Sequence, residues 1–356
     1  MFDETIWEKE YHTHNPYASS RLGNNDEIRI PIQQQDTYTL PCESYLLIRG
    51  KVTKKDGTVG VTPKLINNAV AFLFEEIRYE ISGITVDSTK RVGLTSTIKS
   101  LISIPYSKKQ MLRNSGWSFP PDVDSKALDT GETEAIIPLH MLLGFAEDYK
   151  RIIMNVRQEF VLLRSSTDYD TMIAAAGTTL DNLDWKLEVT KVSWRVPHVR
   201  LADEHRLSLL KLLDSDRDIV VPFRSWEMHE YPVLPTTKNH SWTIKSSTSV
   251  ERPRYVIFGL QTGRKNSILK NANEFDTCKL TNIKLYLNSQ FFPYDNLNND
   301  WDNNNYTIVY DMYSRFQSSY YNRSDSPLLS PNDLQQHFPL VVIDCSKQNE
   351  SVKASS

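Results

Sequence analysis

The sequence has few of the residues that catalytic and ligand-binding loops commonly require. Only 12 glycines occur in 356 residues, and none has the spacing that cradles a phosphate or a dinucleotide. No Gly-x-Ser-x-Gly segment is present, and no cysteine lies near a histidine in a pattern typical of a nucleophile. We therefore predict no catalytic, cofactor-binding or metal-binding residues and no cofactor, and we do not expect an enzyme.

Cysteines and long apolar runs are also scarce. Cys42, Cys278 and Cys345 are odd in number and far apart, so they do not form a disulfide framework. We expect a reducing compartment, in which cysteine behaves as a small apolar residue. The first residues lack the apolar run of a signal peptide, and no segment reaches the ~18 apolar residues of a membrane span. The sequence thus predicts an intracellular, non-secreted chain without a membrane partner.

Charge of one sign is not in excess. The chain carries 41 Lys and Arg against 44 Asp and Glu, a net charge of −3. Broad binding to nucleic acid requires a basic face, which this balance does not favour. The best local basic cluster consists of Arg264, Lys265 and Lys270, in a loop. Its interpretations are a solvated loop, or an electrostatic contact with a neighbouring subunit or nucleic acid.

Aromatic residues are abundant, with 17 Tyr, 13 Phe and 7 Trp. Aromatic and β-branched residues fit pleated, half-buried surfaces, and many segments alternate apolar and polar residues as strands do. The predicted strands are 27–33, 43–52, 72–81, 84–86, 135–138, 152–163, 183–196, 218–229, 241–247, 254–261, 278–287 and 340–344. Turns are predicted at Asp56-Gly57 and Ser82-Gly83, and Pro31 predicts an edge position for its strand.

A few segments interrupt the strands. Apolar spacing predicts helices at 92–102, 139–149, 204–213 and 303–321, and composition predicts loops at 105–131 and 262–277. Length favours two domains. The predicted fold is all-β, with two tandem jelly-roll β-sandwiches and a few short inserted helices, although periodicity alone leaves another β-sandwich open. We expect an irregular N-terminal arm at 1–24, a first jelly roll at 25–197 and a second at 198–356.

Three other groups of residues have competing interpretations. His12 and His14, in the predicted arm, are ordinary hydrogen-bonding histidines or a metal-binding pair, and we favour the first. Glu75 and Glu76 lie on a sandwich rim or form an intersubunit ion pair with a basic residue such as Arg78. One side of 303–321 is a core-packing surface, which we favour, or a ligand-binding stripe. That side contains Tyr306, Val309, Tyr310, Tyr313, Phe316 and Tyr320.

Segments spread in order along the chain resemble a known family. They are Asn24–Ile32, Glu43–Gly50, Ile77–Gly83, Val92–Lys99, Pro253–Thr262, Asn282–Asn288, Pro293–Asp295 and Pro339–Asp344. Together they are similar to the double jelly-roll-like domain proteins of insect and other invertebrate genomes. Those proteins are related to the major capsid proteins of Polinton/Maverick elements and adintovirus-like DNA viruses.

The resemblance implies a structural protein that forms trimeric capsomers, in which six jelly rolls make a pseudo-hexagonal tile. It implies no catalytic residue. The implied partners are copies of the chain in a homotrimer and minor capsid or penton-like proteins, and the implied location is the virion if the origin is viral. Similar proteins continue past residues 349–353 with further strands, so the second jelly roll is expected to be truncated at its C-terminus.

Two other functions remain open. The first is a host-domesticated interaction module that keeps the fold but does not assemble; charged side faces would favour it, whereas apolar, self-complementary side faces would favour assembly. The second is a carbohydrate-active or lectin-like sandwich, which would need exposed aromatics and paired carboxylates on a concave face.

Overall fold

A computed structural model of the chain describes residues 5–18, 20–33, 37–54, 63–118, 132–154, 156–174, 185–215, 219–231, 233–244 and 253–347. Within these ranges the fold is mainly β, with several antiparallel sheets and some helices. None of the helices in these ranges combines the length and the apolar character needed to cross a membrane.

The strands are antiparallel and mostly short. Their bounds are β1 (Ile6–His14), β2 (Glu27–Ile32), β3 (Tyr38–Thr39), β4 (Tyr45–Lys54), β5 (Lys64–Leu65), β6 (Phe74–Ile81), β7 (Ile84–Lys90), β8 (Glu132–Pro138), β9 (Gln158–Arg164), β10 (Met172–Ile173), β11 (Trp185–Leu201), β12 (Tyr255–Phe258), β13 (Leu285–Leu287), β14 (Gln290–Phe292) and β15 (Val341–Asp344).

The helices are inserted between the strands. They are α1 (Ala69–Phe72), α2 (Val92–Ser103), α3 (Leu139–Leu142), α4 (Gly144–Asp148), α5 (Asp203–Asp214), α6 (Thr307–Ser314), α7 (Phe316–Tyr321) and α8 (Pro331–Gln336). Single 3₁₀ turns occur at Pro41–Glu43, Tyr106–Lys108, Met111–Ser115 and Tyr169–Thr171. The predicted helices at 92–102 and 204–213 are confirmed as α2 and α5.

The chain divides into two compact units. The first consists of residues 1–97, 111–228 and 264–273, and the second of residues 98–110, 229–263 and 274–356. Strands β1 to β11 belong to the first unit and β12 to β15 to the second. The predicted arm at 1–24 and jelly rolls at 25–197 and 198–356 stay predictions.

One sheet of the first unit is organised around a long strand. Its order is β1-β11-β4-β8, and β3 also pairs with β11. The 17 residues of β11 pair with β4 through their first half and with β1 through their second half. A bulge between Val189 and Lys191 interrupts the register with β4. Such bulges bend a strand and increase its twist.

The other large sheet of the first unit has the order β2-β9-β6-β7. Strand β2 buries its three alternating isoleucines and lies at the edge, as the proline Pro31 predicts. The hairpin from β6 to β7 is confirmed. Its turn residues Ser82 and Gly83 have φ angles of 51° and 82°, in the left-handed region that glycine adopts at low cost.

A buried tryptophan joins the two large sheets of the first unit. Trp194 of β11 is fully buried, and its ring lies 5.4 Å from that of Phe160 in β9 and 6.1 Å from that of Tyr79 in β6. The indole nitrogen donates a hydrogen bond to Ser44 Oγ at 3.0 Å. The buried Tyr79 hydroxyl donates to Gln158 Oε1 at 2.8 Å. The core therefore combines large aromatic rings with satisfied polar groups.

The strand predicted at 218–229 is wrong for 219–229, where no strand forms. Pro222 lacks a backbone donor, and the backbone N–H of Arg224 donates to the Asp148 carboxylate at 2.8 Å instead of to a strand. The ring of Phe223 packs edge-on against Phe145 in α4, with centroids 5.5 Å apart. Side chains thus hold this segment against the helical part of the first unit.

The segment passes so close to α4 that a side chain at Gly144 has no room. A Cβ built at Gly144 would lie 1.7 Å from the carbonyl oxygen of Arg224. We expect Gly144→Ala to lower the free energy of unfolding by about 1–3 kcal/mol, since backbone must move. The measurement is urea denaturation followed by circular dichroism. Gly23→Ala is the control, because its added carbon meets only the movable carboxylate of Asp26 at 3.0 Å; equal losses for both variants would contradict this account.

In the described residues, the second unit contains two short strand pairs, the helices α6, α7 and α8, and the C-terminal half of α2. Strand β12 pairs with β15, and β13 pairs with β14. The predicted helix 303–321 forms as α6 and α7, which are separated at Arg315. The predicted strand 340–344 is confirmed as β15. Ser330 and Asp333 form a capping box at the start of α8, where each side chain accepts from the other residue's backbone N–H.

Other strand predictions need correction. The arm at 1–24 is not irregular throughout, because 6–14 form β1 along β11. Strand 152–163 begins at 158, strand 254–261 is confined to β12, and strand 278–287 to β13. The helix predicted at 139–149 divides at Leu143, whose backbone is extended. The turn at Asp56-Gly57, residues 119–131 of the predicted loop and residues 245–247 lie outside the described residues; 241–244 form no strand.

Candidate functional site

Three histidines lie on one face of the sheet where β1 meets β11. His12 and His14 alternate along β1, and His198 lies opposite Glu10 in β11. Residues two apart on a strand share a face, and a cross-strand residue lies within reach of both. We call His12, His14 and His198 the histidine seam. An ordinary hydrogen-bonding role for His12 and His14 stays a prediction. The structure adds a third histidine, His198, which the local sequence pattern did not indicate.

The seam is held by direct contacts between the rings. His14 Nε2 lies 2.9 Å from His198 Nε2, which is hydrogen-bond distance. The ring of His12 stacks on that of His198 with centroids 4.2 Å apart. Thr37 Oγ1 lies 2.7 Å from His198 Nδ1 and fixes the orientation of that ring. His198 is only 3% exposed, so its polar atoms depend on these partners.

The surroundings of the seam disfavour positive charge. Burial, followed by the nearby His12, lowers the pKa of His14 to about 4. Burial, followed by His12 and His14, lowers the pKa of His198 to about 4. Both rings are therefore neutral at pH 7. In the described part of the chain, no group of three His, Cys, Asp or Glu residues has the geometry to hold a metal ion.

A second polar surface covers the outer face of the β2-β9-β6-β7 sheet. Arg29 lies 2.7 Å from Glu27 and 3.2 Å from Glu159, and Arg78 lies 3.0 Å from Glu27. Burial acts to raise the pKa of Glu27, but hydrogen bonds from the two arginines outweigh it and hold the pKa below its ordinary value. We call Glu27, Arg29, Arg78 and Glu159 the charged face. Its charges are paired within the chain.

The predicted carboxylate pair at Glu75 and Glu76 divides between two partners. The register with β9 shifts between Phe74 and Glu76, and the side chains of Glu75 and Glu76 are 42% and 22% exposed. Glu76 lies 3.5 Å from Arg78, and Glu75 lies 3.0 Å from Arg91. Both contacts are internal to the chain, so the rim interpretation accounts for them without a neighbouring subunit.

The basic cluster at Arg264, Lys265 and Lys270 is not a simple basic patch. Arg264 donates to the carbonyl of Asn271 at 2.9 Å. Lys265 lines a polar cavity of about 390 Å³ together with Arg91, Glu75 and Asp170, so both signs of charge are present. Burial raises the pKa of Asp170. This mixture favours a solvated loop over a surface that attracts nucleic acid.

The aromatic side of 303–321 packs into the core of the second unit, as favoured from its spacing. Tyr306, Val309, Tyr313 and Phe316 are buried. The Tyr313 hydroxyl donates to the carbonyl of Leu101 at 2.9 Å and accepts from the backbone N–H of Leu329 at 2.9 Å. A ring whose hydroxyl is satisfied on both sides in the interior is a structural element and not part of a ligand-binding stripe.

The antiparallel sheets with inserted helices define a mainly β fold. The model of the double jelly roll-like domain matches residues 63–356. The chain belongs to the double jelly roll-like domain family. No curated protein matches the chain.

Several solved viral capsid structures are similar to parts of the chain. The Faustovirus major capsid protein is 10% identical over 60% of this chain and 58% of its own, with a TM-score of 0.41. The mavirus major capsid protein is 10% identical over 70% and 49%, with a TM-score of 0.34. The PBCV-1 virus capsid is 13% identical over 58% and 46%, with a TM-score of 0.38. The chain thus spans about half the length of these structures, and the likeness concerns the fold alone.

Proposed function

We propose that the chain is a non-enzymatic structural protein of the major-capsid type that associates with copies of itself into trimeric capsomers. The observation that carries the proposal is the match to the double jelly roll-like domain over residues 63–356. Two tandem jelly rolls in each of three chains would provide six similar rolls for a pseudo-hexagonal tile. Minor capsid or penton-like proteins would be further partners, and the virion the location if the origin is viral.

The finer parts of the proposal come from the sequence resemblance. They are the jelly-roll boundaries at 25–197 and 198–356, and an origin in Polinton/Maverick elements or related viruses, including copies in insect genomes. The charged face supports a non-catalytic role, because its charges are paired within the chain. Contact with nucleic acid has the weakest support, since the charges around Lys265 are mixed.

The oligomeric state of the full chain tests the proposal. Sedimentation velocity over a hundred-fold concentration range, at low and high salt, is expected to show a species with about three times the 41.1 kDa mass of the chain, or larger assemblies. Apolar interfaces persist in salt, whereas contacts between exposed charges weaken. A monomer under every condition would refute capsomer formation.

One observation favours a second function, a domesticated interaction module that does not assemble. The charged face on the outer side of a large sheet is polar, which favours such a module over self-association through that face. The same sedimentation experiment separates the two functions, because the module predicts a monomer. A second measurement is the affinity of the monomer for a binding partner, which is expected to weaken at high salt.

A further inference from the structure

Strand β1 is attached by its backbone ladder with β11, by the histidine seam and by a few partly exposed side-chain contacts. It lies at the edge of its sheet and pairs only with β11 among the described strands. None of its nine residues is fully buried, and Trp7 is 76% exposed. Segments with little buried apolar surface detach at low free-energy cost. The attachment of β1 therefore depends on its backbone ladder and on a small number of side-chain contacts.

The central side-chain contact of the seam requires that at least one of its two rings is neutral. Two imidazole nitrogens 2.9 Å apart share one hydrogen, so one of His14 Nε2 and His198 Nε2 has to accept. When both rings are protonated, each nitrogen carries a hydrogen and the contact becomes repulsive. The ring of His12 stacks on the His198 ring with centroids 4.2 Å apart, and its proximity helps to lower the pKa of both His14 and His198.

The charged groups around the seam do not neutralise it. On β1, Glu10 lies 3.6 Å from His12, and its side chain is 64% exposed. Glu8 of β1 pairs with Arg200 of β11 at 3.0 Å. From the 37–39 segment, Thr37 supplies a neutral hydroxyl. Other charged groups near β1 are the Lys9–Glu43 pair and Arg195, which packs over the Tyr11 ring. No carboxylate of the described chain lies within ion-pair distance of His14 or His198.

We propose that the histidine seam is an acid-labile clasp, which holds β1 on β11 while its rings are neutral and releases the strand when they take up protons. The inference deepens the proposed function, on which its biological use rests: acidification would free an N-terminal strand of a capsid-type subunit and open the edge of β11.

The direction of the pH dependence follows from the two states of the rings. His14 has a pKa of about 4 with β1 attached, whereas a released histidine has a pKa of about 6.5. His198 stays in β11, but release removes the neighbouring His12 and His14, which help to lower its pKa. The released state therefore binds more protons between these values, and acid favours it. The clasp is complete above pH 6.5 and is lost as the pH falls towards 4. At pH 5 we expect at least a ten-fold loss of attachment relative to pH 7.

Hydrogen exchange of the full chain measures this loss. Protection of amides in 6–14, normalised to the intrinsic exchange rate at each pH, is expected to fall at least ten-fold from pH 7 to pH 5. Protection in β6, which faces no histidine of the seam, is expected to change little. Equal protection of β1 at both pH values would overturn the proposal, as would an equal loss across all strands.

Variants assign the effect to the seam. His14→Gln with His198→Gln removes the titrating rings but keeps polar groups, so protection of β1 is expected to become nearly independent of pH. His240→Gln, at an exposed position outside the seam, is the matched control and should keep the wild-type response. A full pH response in the double variant would refute the clasp.

Titration of the wild-type chain gives a second measurement that needs no variant. Chemical shifts of labelled histidine rings are expected to show two histidines that titrate below pH 5, and none in this range would contradict the clasp. Sedimentation at pH 7 is independent of this result. Trimers without pH-dependent release would refute the clasp alone, and a monomer whose β1 is released by acid would refute the capsomer alone.

Discussion

Replacement of Trp194 by alanine is expected to lower the free energy of unfolding by about 3–5 kcal/mol. The indole is fully buried between the two large sheets of the first unit, in contact with Phe160 and Tyr79. Removal would leave a cavity lined by both sheets and would leave the hydroxyl of Ser44 without its indole donor. Urea denaturation followed by circular dichroism measures the loss.

The same sheet offers a control with an identical chemical change. Trp7 lies on β1 and is 76% exposed, so Trp7→Ala is expected to change stability by no more than about 0.5 kcal/mol. The comparison separates burial from the general consequence of losing an indole ring. Similar losses in both variants would show that Trp194 does not hold the two sheets together.

The substitution Asp168→Ala, made alone, is expected to lower the free energy of unfolding by about 3–5 kcal/mol. Asp168 lies 2.9 Å from Arg164, and the two side chains are 4% and 2% exposed. The guanidinium also donates to the carbonyls of Leu22 and Leu73, so it cannot simply turn towards solvent. Loss of the carboxylate would leave a buried positive charge uncompensated. Chemical denaturation at pH 7 measures the change.

The chain contains an exposed counterpart of this ion pair. Asp311 and Arg315 have the same four-residue spacing and lie 2.9 Å apart, but their side chains are 49% and 70% exposed. Asp311→Ala is expected to cost about 0–1 kcal/mol, because water screens the pair and solvates the remaining arginine. If this substitution were as damaging as Asp168→Ala, burial would not be the reason for the larger effect.

The elements that the sequence predicts correctly are those with strong local patterns. The alternating isoleucines of β2 face the core because side chains alternate across a strand, and Ser82-Gly83 supplies the turn of the β6–β7 hairpin. The spacing of 92–102 is helical and forms α2. In each case the residues that determine the element lie within the element itself.

The elements missed depend on distant partners or on single backbone angles. Strand β1 has little apolar alternation and becomes a strand because β11 offers it a ladder. The segment 278–287 alternates cleanly, yet Cys278 and Lys279 have φ angles of 43° and 52°, which lie outside the range of regular strands. Asn288 and Ser289 also have positive φ and form the turn between β13 and β14. Neither feature is apparent from apolar periodicity.

Only part of the histidine seam could be predicted from the sequence. His12 and His14 are two residues apart, and this spacing alone places them on one face if the segment is a strand. His198 lies 184 residues beyond His14, so no local pattern connects it to the pair. His198 lies beyond the strand predicted at 183–196, and the pairing of β1 with β11 was needed to bring the rings together.

The sequence separation between β1 and β11 also sets a delay between their synthesis on the ribosome. Strand β1 leaves the ribosome before β11, and the paired residues His14 and His198 are 184 positions apart in the chain. At roughly 5–20 residues per second, translation of that stretch takes roughly 10–40 s. During this interval β1 is a nascent strand without its native neighbour, on a polysome where other copies of the same segment are close. Charged side chains on an unpaired strand disfavour pairing with other chains, and β1 contains two glutamates and one lysine.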